Sequence, residues 1–396
     1  MDSDSNNLRS NRFSGNHYTN FNNNNNEKIN TPKRNPKNNQ SPHPKWRLIY
    51  LILGIIAIFS IMIIHHKWNN AKQAASKTYL SANVNKKRNV HQLIAQGKPV
   101  SILLLGTDTG ALGRNYRGRT DTMIVVTLNP KKQKMTMTSV PRDLALSIPG
   151  HSEEAPSKIN SAYDFDQAKG SIKSVEKVLN IPIDYYGLVN MGGMEQIVDG
   201  VGGVTVNPPL TFKYGNADVK KGQKIHLNGK QALDYSRMRY DDPKGDYGRQ
   251  IRQRQIIAAC VSKGDSATAL FDTKLMNSVQ NQIKTDLTFR DLINLSTNYR
   301  LATHHLKSDH VQGQSQMING QSFEVASTNE RQRITNFIRN ELEIPKATTG
   351  STGLEDITTG DLGLESNTNS YTGTNYYGTN NNSSYASNSY QTRSIY

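Results

Sequence analysis

The chain of 396 residues carries 48 Lys and Arg against 32 Asp and Glu, a formal net charge of +16. Only 35% of its residues are hydrophobic, and both ends are too polar to bury, so a single core spanning the whole length is excluded. One cysteine, Cys260, excludes an internal disulfide framework and a four-cysteine zinc site. The surplus positive charge calls for an anionic partner, with nucleic acid, anionic lipid and acidic polymer all open.

Fourteen of the first 40 residues are Asn. Residues 1–46 therefore read as a disordered tail, with too little apolar area to offset the entropy of ordering. Leu48–Ile64 is an uncharged run of 17 residues flanked by Trp46 and Trp68. At a rise of about 1.5 Å per residue it just spans a bilayer core, so residues 47–66 are expected to be a membrane anchor. The leading segment is far too long for the n-region of a cleaved signal peptide.

Residues 28–47 hold six basic residues and residues 65–84 hold three. That bias places the N-terminus in the cytoplasm and the rest outside the cell membrane. An outside location weighs against nucleic acid as the partner of the net +11 after residue 64 (40 basic minus 29 acidic). Residues 67–96 read as a polar stalk, residues 97–345 as the globular domain, and residues 346–396 as a second disordered tail rich in Thr, Gly, Ser, Asn and Tyr.

Within the domain, strand and helix patterns alternate. Strands are expected at Val100–Leu105, Thr122–Leu128, Met135–Val140, Tyr185–Val189, Val204–Val206 and Gln321–Val325. Helices are expected at Gly170–Leu179, Gly193–Val198, from Asn228, from an Asp246 cap to Ser262, at Leu287–Thr297 and at Asn329–Leu342. The fold class is α/β, in layers.

Polar residues gather at the expected strand ends, where α/β folds build their sites. They include Asp108, the run Arg117-Gly118-Arg119-Thr120-Asp121, Arg142-Asp143, and Ser236-Arg237-Met238-Arg239. Arg237 and Arg239 would share one face of an extended segment. Arg249 and Gln253 would share one face of a helix. With Arg119 and Arg142, five guanidiniums could surround one anion, and so dense a set of cations favours a pyrophosphate over a lone carboxylate. Asp108 and Asp121, together with phosphate oxygens, form a donor set suited to Mg²⁺.

Each arginine taken alone is equally well a structural ion pair. Lys158, Asn160 and Tyr163 are possible pocket residues, although a loop-to-helix boundary explains them nearly as well. Asp143 is expected to orient Arg142, and Asp241 and Asp242 to shape a turn. No Gly-x-Ser-x-Gly, His-Glu-x-x-His or Walker lysine loop is present. His304, His305 and His310 are expected to face solvent. Cys260, on the stripe Ile256, Ile257, Cys260, Val261, is expected in the core.

Seven motifs, in order, carry a resemblance. They are Gly-x-Asp at 106–108, Arg-x-Asp at 119–121, Val-Pro-Arg-Asp at 140–143 and Lys-Ile-Asn-x-Ala-Tyr at 158–163. Val-Asp-Gly-Val-Gly-Gly-Val at 198–204, Ser-Arg-x-Arg at 236–239 and Asp-x-Gly-Arg-x-x-Arg-Gln at 246–253 complete the set. Over roughly residues 100–340 the chain resembles the LytR–CpsA–Psr family of cell-envelope proteins.

The resemblance implies a central mixed β-sheet layered between helices, preceded by one transmembrane helix, on a Gram-positive cell membrane. It implies transfer of an anionic glycopolymer, such as wall teichoic acid or capsule, from an undecaprenyl-pyrophosphate carrier to the N-acetylmuramic acid of peptidoglycan as a phosphodiester. It further implies that Arg142, Arg237, Arg239, Arg249 and Gln253 hold the pyrophosphate. Asp108 and Asp121 would serve Mg²⁺ with Arg119 nearby, and a tunnel would take the polyprenyl chain. Asp108 or Asp121 is the candidate general base. The competing reading is a non-catalytic receptor for anionic wall polymer. A regulator would need a cytoplasmic DNA-binding element, and residues 1–45 contain no helix-turn-helix pattern.

Overall fold

A computed structural model describes residues 44–108, 118–263 and 279–355. Arg117, the Asn-rich segment up to residue 43 and the chain after residue 355 lie outside the described residues. Two compact units divide the chain, Met1–Phe59 and Ser60–Tyr396. Helix α1 (Pro44–Thr78) begins in the first, where every described side chain from Ile49 to Phe59 is exposed. So large an apolar surface is unfavourable in water and suits hydrocarbon. Among the described residues one helix, Ile49–Thr78, is long and apolar enough to cross a membrane.

The second unit is built on a mixed sheet. Its elements in order are α2 (Val90–Ala95), β1 (Val100–Thr107), β2 (Thr120–Asn129), β3 (Lys134–Ser139), β4 (Ala145–Leu146), β5 (Ser157–Lys158) and α3 (Ser161–Leu179). Then come β6 (Tyr185–Asn190), α4 (Met191–Gly200), β7 (Val204–Val206), β8 (Phe212–Tyr214), β9 (Ala217–Val219), β10 (Ile225–Leu227), α5 (Gly229–Arg237) and α6 (Gly245–Lys263). The last part holds β11 (Ile283–Thr285), α7 (Phe289–Asn298), β12 (His305–His310), β13 (Gln314–Ile318), β14 (Gln321–Val325) and α8 (Thr328–Glu341). The main sheet runs β11-β6-β1-β2-β3-β12, with the β1–β6 and β3–β12 pairs parallel and the others antiparallel.

Period-2 alternation makes β1 serve both faces. Leu103 and Leu105 enter one core with Ile172, Val175 and Leu179 of α3 and Ile334 and Ile338 of α8. Ile102 and Leu104 enter the opposite core with α2, α7 and the far half of α6. Each buried Leu or Ile contributes roughly 1.5–3 kcal/mol, so the central strand binds both helical layers to one sheet. A third cluster joins β7 to β10 with α4, α5 and α6 through Val204, Phe212, Leu227, Tyr235 and Ile256.

Two regions differ from the sequence expectation. The segment read as a free stalk is part of the domain. Ala71, Ala74 and Ala75, at helical spacing, are buried because their small side chains allow close approach, and the Trp68 ring meets Phe289 edge-on at 5.1 Å. Leu80 donates its N–H to Thr285 O at 2.8 Å. Lys86, Lys87 and Arg88 pair with Asp286, Glu176 and Asp184.

At the other end, residues 346–355, expected in the polar tail, lie along the domain as a strap. Ser147 N–H donates to Thr352 O at 2.8 Å, and Leu354 packs beside Ala145, Ile318 and Phe323. One backbone hydrogen bond, side-chain contacts from Asn180, Arg331 and Gln332, and one anchoring leucine hold this polar stretch, a pattern that composition does not reveal.

Asp184 is 1% exposed, and its carboxylate also accepts from Ser101. Arg88→Ala should therefore leave a buried carboxylate without its cation and cost about 3 kcal/mol. Equilibrium unfolding of the detergent-solubilised protein measures this, and a loss below ~1 kcal/mol would show that the Ser101 hydrogen bonds suffice.

Candidate active site

The open end of the sheet places the charged residues. β1 ends at Thr107, so Asp108 follows it directly. The β1–β2 register passes from Gly106↔Thr122 to Thr107↔Thr120, which makes Asp121 the extra residue of a β-bulge. Bulges re-aim a side chain out of the alternating pattern. Arg142 follows β3 after Val140, whose N–H still donates to Met123 O at 2.9 Å.

Arg237 is the last residue of α5, not part of a strand as expected. Asn228 and Gln231 start that helix with a reciprocal capping box, and Met238 ends it in an extended conformation (φ −52°, ψ 136°). Asp246 lies in the first turn of α6 instead of capping it. One of its oxygens meets Arg249 at 2.6 Å and the other accepts from Gln250 at 3.0 Å.

These ends surround a cavity of about 660 Å³. Asp108, Asp121, Arg142, Arg237, Arg239, Arg249 and Gln253 line it, as do Leu104, Val189, Met194, Ile197, Leu233, Ile257, Cys260 and Val261. Helix α6 carries both chemistries. Arg249, Gln253, Ile256, Ile257 and Cys260 recur at spacings of three and four, so one helix face passes from charge to hydrocarbon over about 16 Å. The cavity therefore offers a cationic end joined to an oily channel.

The charges are unevenly balanced. Arg142 meets Asp121 Oδ1 at 2.5 Å and Asp143 Oδ2 at 3.5 Å. Burial pulls the Arg142 guanidinium down, but Asp121, Asp143 and Asp246 outweigh it and hold the group above its ordinary range. Arg249 is 7% exposed and donates to Asp121 O at 3.1 Å. Burial pushes it below its ordinary range, with Arg142 and Arg239 adding to the repulsion against the pull of Asp246. Arg237 and Arg239 have no carboxylate partner among the described residues. Four arginines thus face two aspartates across one cavity, and a bound polyanion would relieve the imbalance.

Other candidates lie elsewhere. Arg119 is exposed and does not line the cavity. Lys158 pairs with Asp143 at 2.9 Å, Asn160 N–H donates to Arg142 O at 3.1 Å, and Tyr163 packs against the α3 side of the sheet. These three stand behind the site, supporting the Arg142 loop or the core. Cys260 is half-buried and lines the channel, where burial pushes its thiol up to about 11. His304 and His305 are exposed as expected, whereas His310 is half-buried against the Tyr247 ring.

Sequence reasoning did not separate Arg252 from its neighbours. Its side chain is fully buried, pairs with Asp242, and donates to Tyr235 O and Met238 O. It thereby fixes the residue between Arg237 and Arg239. Gly248 leaves room for this arrangement, because a Cβ there would lie 1.9 Å from the Asp242 carboxylate. Asp242 is thus a turn residue, as expected, with a second duty as counter-ion.

Among the described residues, no group of three or more His, Cys, Asp or Glu could hold a metal. Asp108 and Asp121 supply hard oxygen donors, and Mg²⁺ typically takes one or two carboxylates plus substrate phosphates, so these residues fit that ion.

Fold and cavity together define a class. The chain belongs to the LytR_cpsA_psr family, whose model matches residues 63–340. It is 38% identical over 301 residues to the polyisoprenyl-teichoic acid–peptidoglycan teichoic acid transferase TagU of Enterococcus faecalis, covering 75% of this chain and 97% of that protein. A crystal structure of a Streptococcus agalactiae protein superposes with a TM-score of 0.60 at 33% identity, over 68% of this chain and 95% of that one. The crystal structure of Bacillus subtilis TagV gives 0.55 at 30% identity, over 63% and 99%.

Arg252→Lys keeps the charge but cannot span one carboxylate and two carbonyls. It should lower stability by about 2 kcal/mol in denaturant unfolding. An unchanged midpoint would remove Arg252 as the anchor of the Arg237–Arg239 segment.

Proposed function

We propose that this protein transfers an anionic glycopolymer from a polyprenyl-pyrophosphate carrier to peptidoglycan, making a phosphodiester. The observation that carries the reading is the cavity itself, whose arginine-lined end opens into an apolar channel of the kind a lipid diphosphate requires. The named activity of its relatives supports the same class of reaction. The polymer can be wall teichoic acid, capsule or a related polysaccharide, all of which share the carrier end. The domain lies outside the cell membrane, within reach of a lipid-borne substrate, and the N-terminus lies in the cytoplasm.

Arg142, Arg237, Arg239 and Arg249, with Gln253, grip the diphosphate oxygens through charge-assisted hydrogen bonds. The channel beside Ile257 and Val261 takes the polyprenyl chain. A sugar hydroxyl of peptidoglycan attacks the polymer-bearing phosphorus. The new P–O bond forms as the bond to the lipid phosphate breaks, and polyprenyl monophosphate leaves with the charge that the arginines neutralise. Asp108 or Asp121 receives the hydroxyl proton. Asp108 and Asp121 would hold Mg²⁺, which when bound spreads the charge developing on the phosphoryl group.

The test is turnover of a lipid-pyrophosphate glycan with peptidoglycan fragments and Mg²⁺. Release of lipid monophosphate with a new phosphodiester is expected, whereas tight binding without turnover would mark a wall-polymer receptor. Arg142→Ala and Arg237→Ala should each lower activity at least about tenfold, because a charge-assisted phosphate contact is worth about 1.5–3 kcal/mol. Wild-type rates in both would remove these residues from the site. Chelation should abolish turnover, and Asp121→Asn should shift the Mg²⁺ titration to higher concentration; an unchanged titration would refute its ligand role.

A further inference from the structure

The hairpin β13–β14 contributes nothing to the cavity lining, yet it touches both segments that carry the arginines. Glu324 makes both contacts. Its backbone N–H donates to Asp143 O at 2.9 Å, and it forms a bridge with Leu144, so it grips the loop that presents Arg142. Its carboxylate accepts from the Tyr247 hydroxyl at 2.9 Å, and Tyr247 sits in the first turn of α6 between Asp246 and Arg249. The Tyr247 oxygen in turn accepts the Gly313 N–H at 2.8 Å, and the other Glu324 oxygen accepts from Ser315. Gly313 is needed for this closeness, because a Cβ there would stand 2.7 Å from the Glu324 carboxylate. Burial pushes the Tyr247 phenol up, and Glu324 adds to the effect, so the hydroxyl keeps its proton and remains a donor.

We propose that Glu324 and Tyr247 are positioning residues, a tie outside the cavity that sets the spacing between Arg142 and the Arg249–Gln253 face of α6. The inference rests on the reading of this cavity as a diphosphate site. Beside the cavity the same two segments meet where Arg142 reaches Asp246, and Asp121 of β2 joins Arg142 to Arg249. An incoming diphosphate competes for those guanidiniums and must rearrange those contacts. The Glu324–Tyr247 tie uses groups that the substrate does not reach, so it holds the spacing while the inner contacts exchange. A neighbouring contact reinforces it: Lys158 reaches both Asp143 and the face of Phe323, the residue before Glu324.

The experiment measures binding of inorganic pyrophosphate by calorimetry on the full chain in detergent, alongside turnover and the unfolding midpoint. Tyr247→Phe and Glu324→Ala should each weaken pyrophosphate binding and raise KM at least fivefold. Glu324→Gln, which still offers Tyr247 an amide oxygen, should stay within twofold of wild type. In an Arg142→Ala background the effect of Tyr247→Phe should shrink to less than twofold, because the spacing then has nothing to position. Variants that lower the unfolding midpoint but bind pyrophosphate within twofold of wild type would make the tie purely structural and overturn the proposal, while the diphosphate reading would stand on the loss in Arg142→Ala. A wild-type chain that neither binds pyrophosphate nor turns over would overturn that reading and this proposal with it.

Discussion

Like-charged side chains must be gathered around one cavity without driving the fold apart. The repulsion is managed by giving some cations carboxylate partners and leaving others open. Arg252 is neutralised by Asp242 deep in the protein, Arg142 leans on Asp121, and Arg249 leans on Asp246. Arg237 and Arg239 keep their charge toward the cavity. A buried cation with no counter-charge is strongly destabilising, whereas one at a cavity wall retains access to water until a ligand arrives. The distribution of aspartates therefore separates Arg252, which is locked into the fold, from the arginines that line the cavity.

Helix α6 is where fold and chemistry coincide. Its start meets the ends of β2 and β3 through Arg249 and Arg142, and its far half packs under the sheet beside α7. A single helical face supplies guanidinium, amide, alkyl and thiol groups in sequence. A substrate with a charged head and an oily tail would match that gradient along its length, so the order of residues on one helix already encodes the polarity of the ligand.

Much of this was legible in the sequence. The apolar run Val100–Leu105, the alternation around Thr122–Leu128 and the spacing of Ile172, Val175 and Leu179 specify strands and a helix because periodicity is a local signal. The charged cavity residues could be listed because arginine and aspartate at element boundaries are conspicuous. Three things were hidden. The bulge that turns Asp121 depends on the register of two strands, a non-local property. The helical state of Arg237 depends on a capping box that outweighs the two-residue spacing read as extended. The channel could not be told from core, because Ile257, Cys260 and Val261 have the composition of buried packing whether the space beside them is filled or open. Arg119 shows the converse: a charged residue within a motif can still stand outside the cavity lining.

Docking of the chain on both flanks of the domain has a practical consequence. Ala71, Ala74 and Ala75 sit buried against it, and Leu354 sits behind the loop that leads from Arg142 to Ser147. A soluble fragment trimmed at residue 70 and at residue 346 would begin one residue before a buried alanine and end eight residues short of that leucine. Poor behaviour of such a truncated piece would then report on missing seams of the protein, not on weak catalysis, and cuts placed beyond both seams preserve what the enzyme needs.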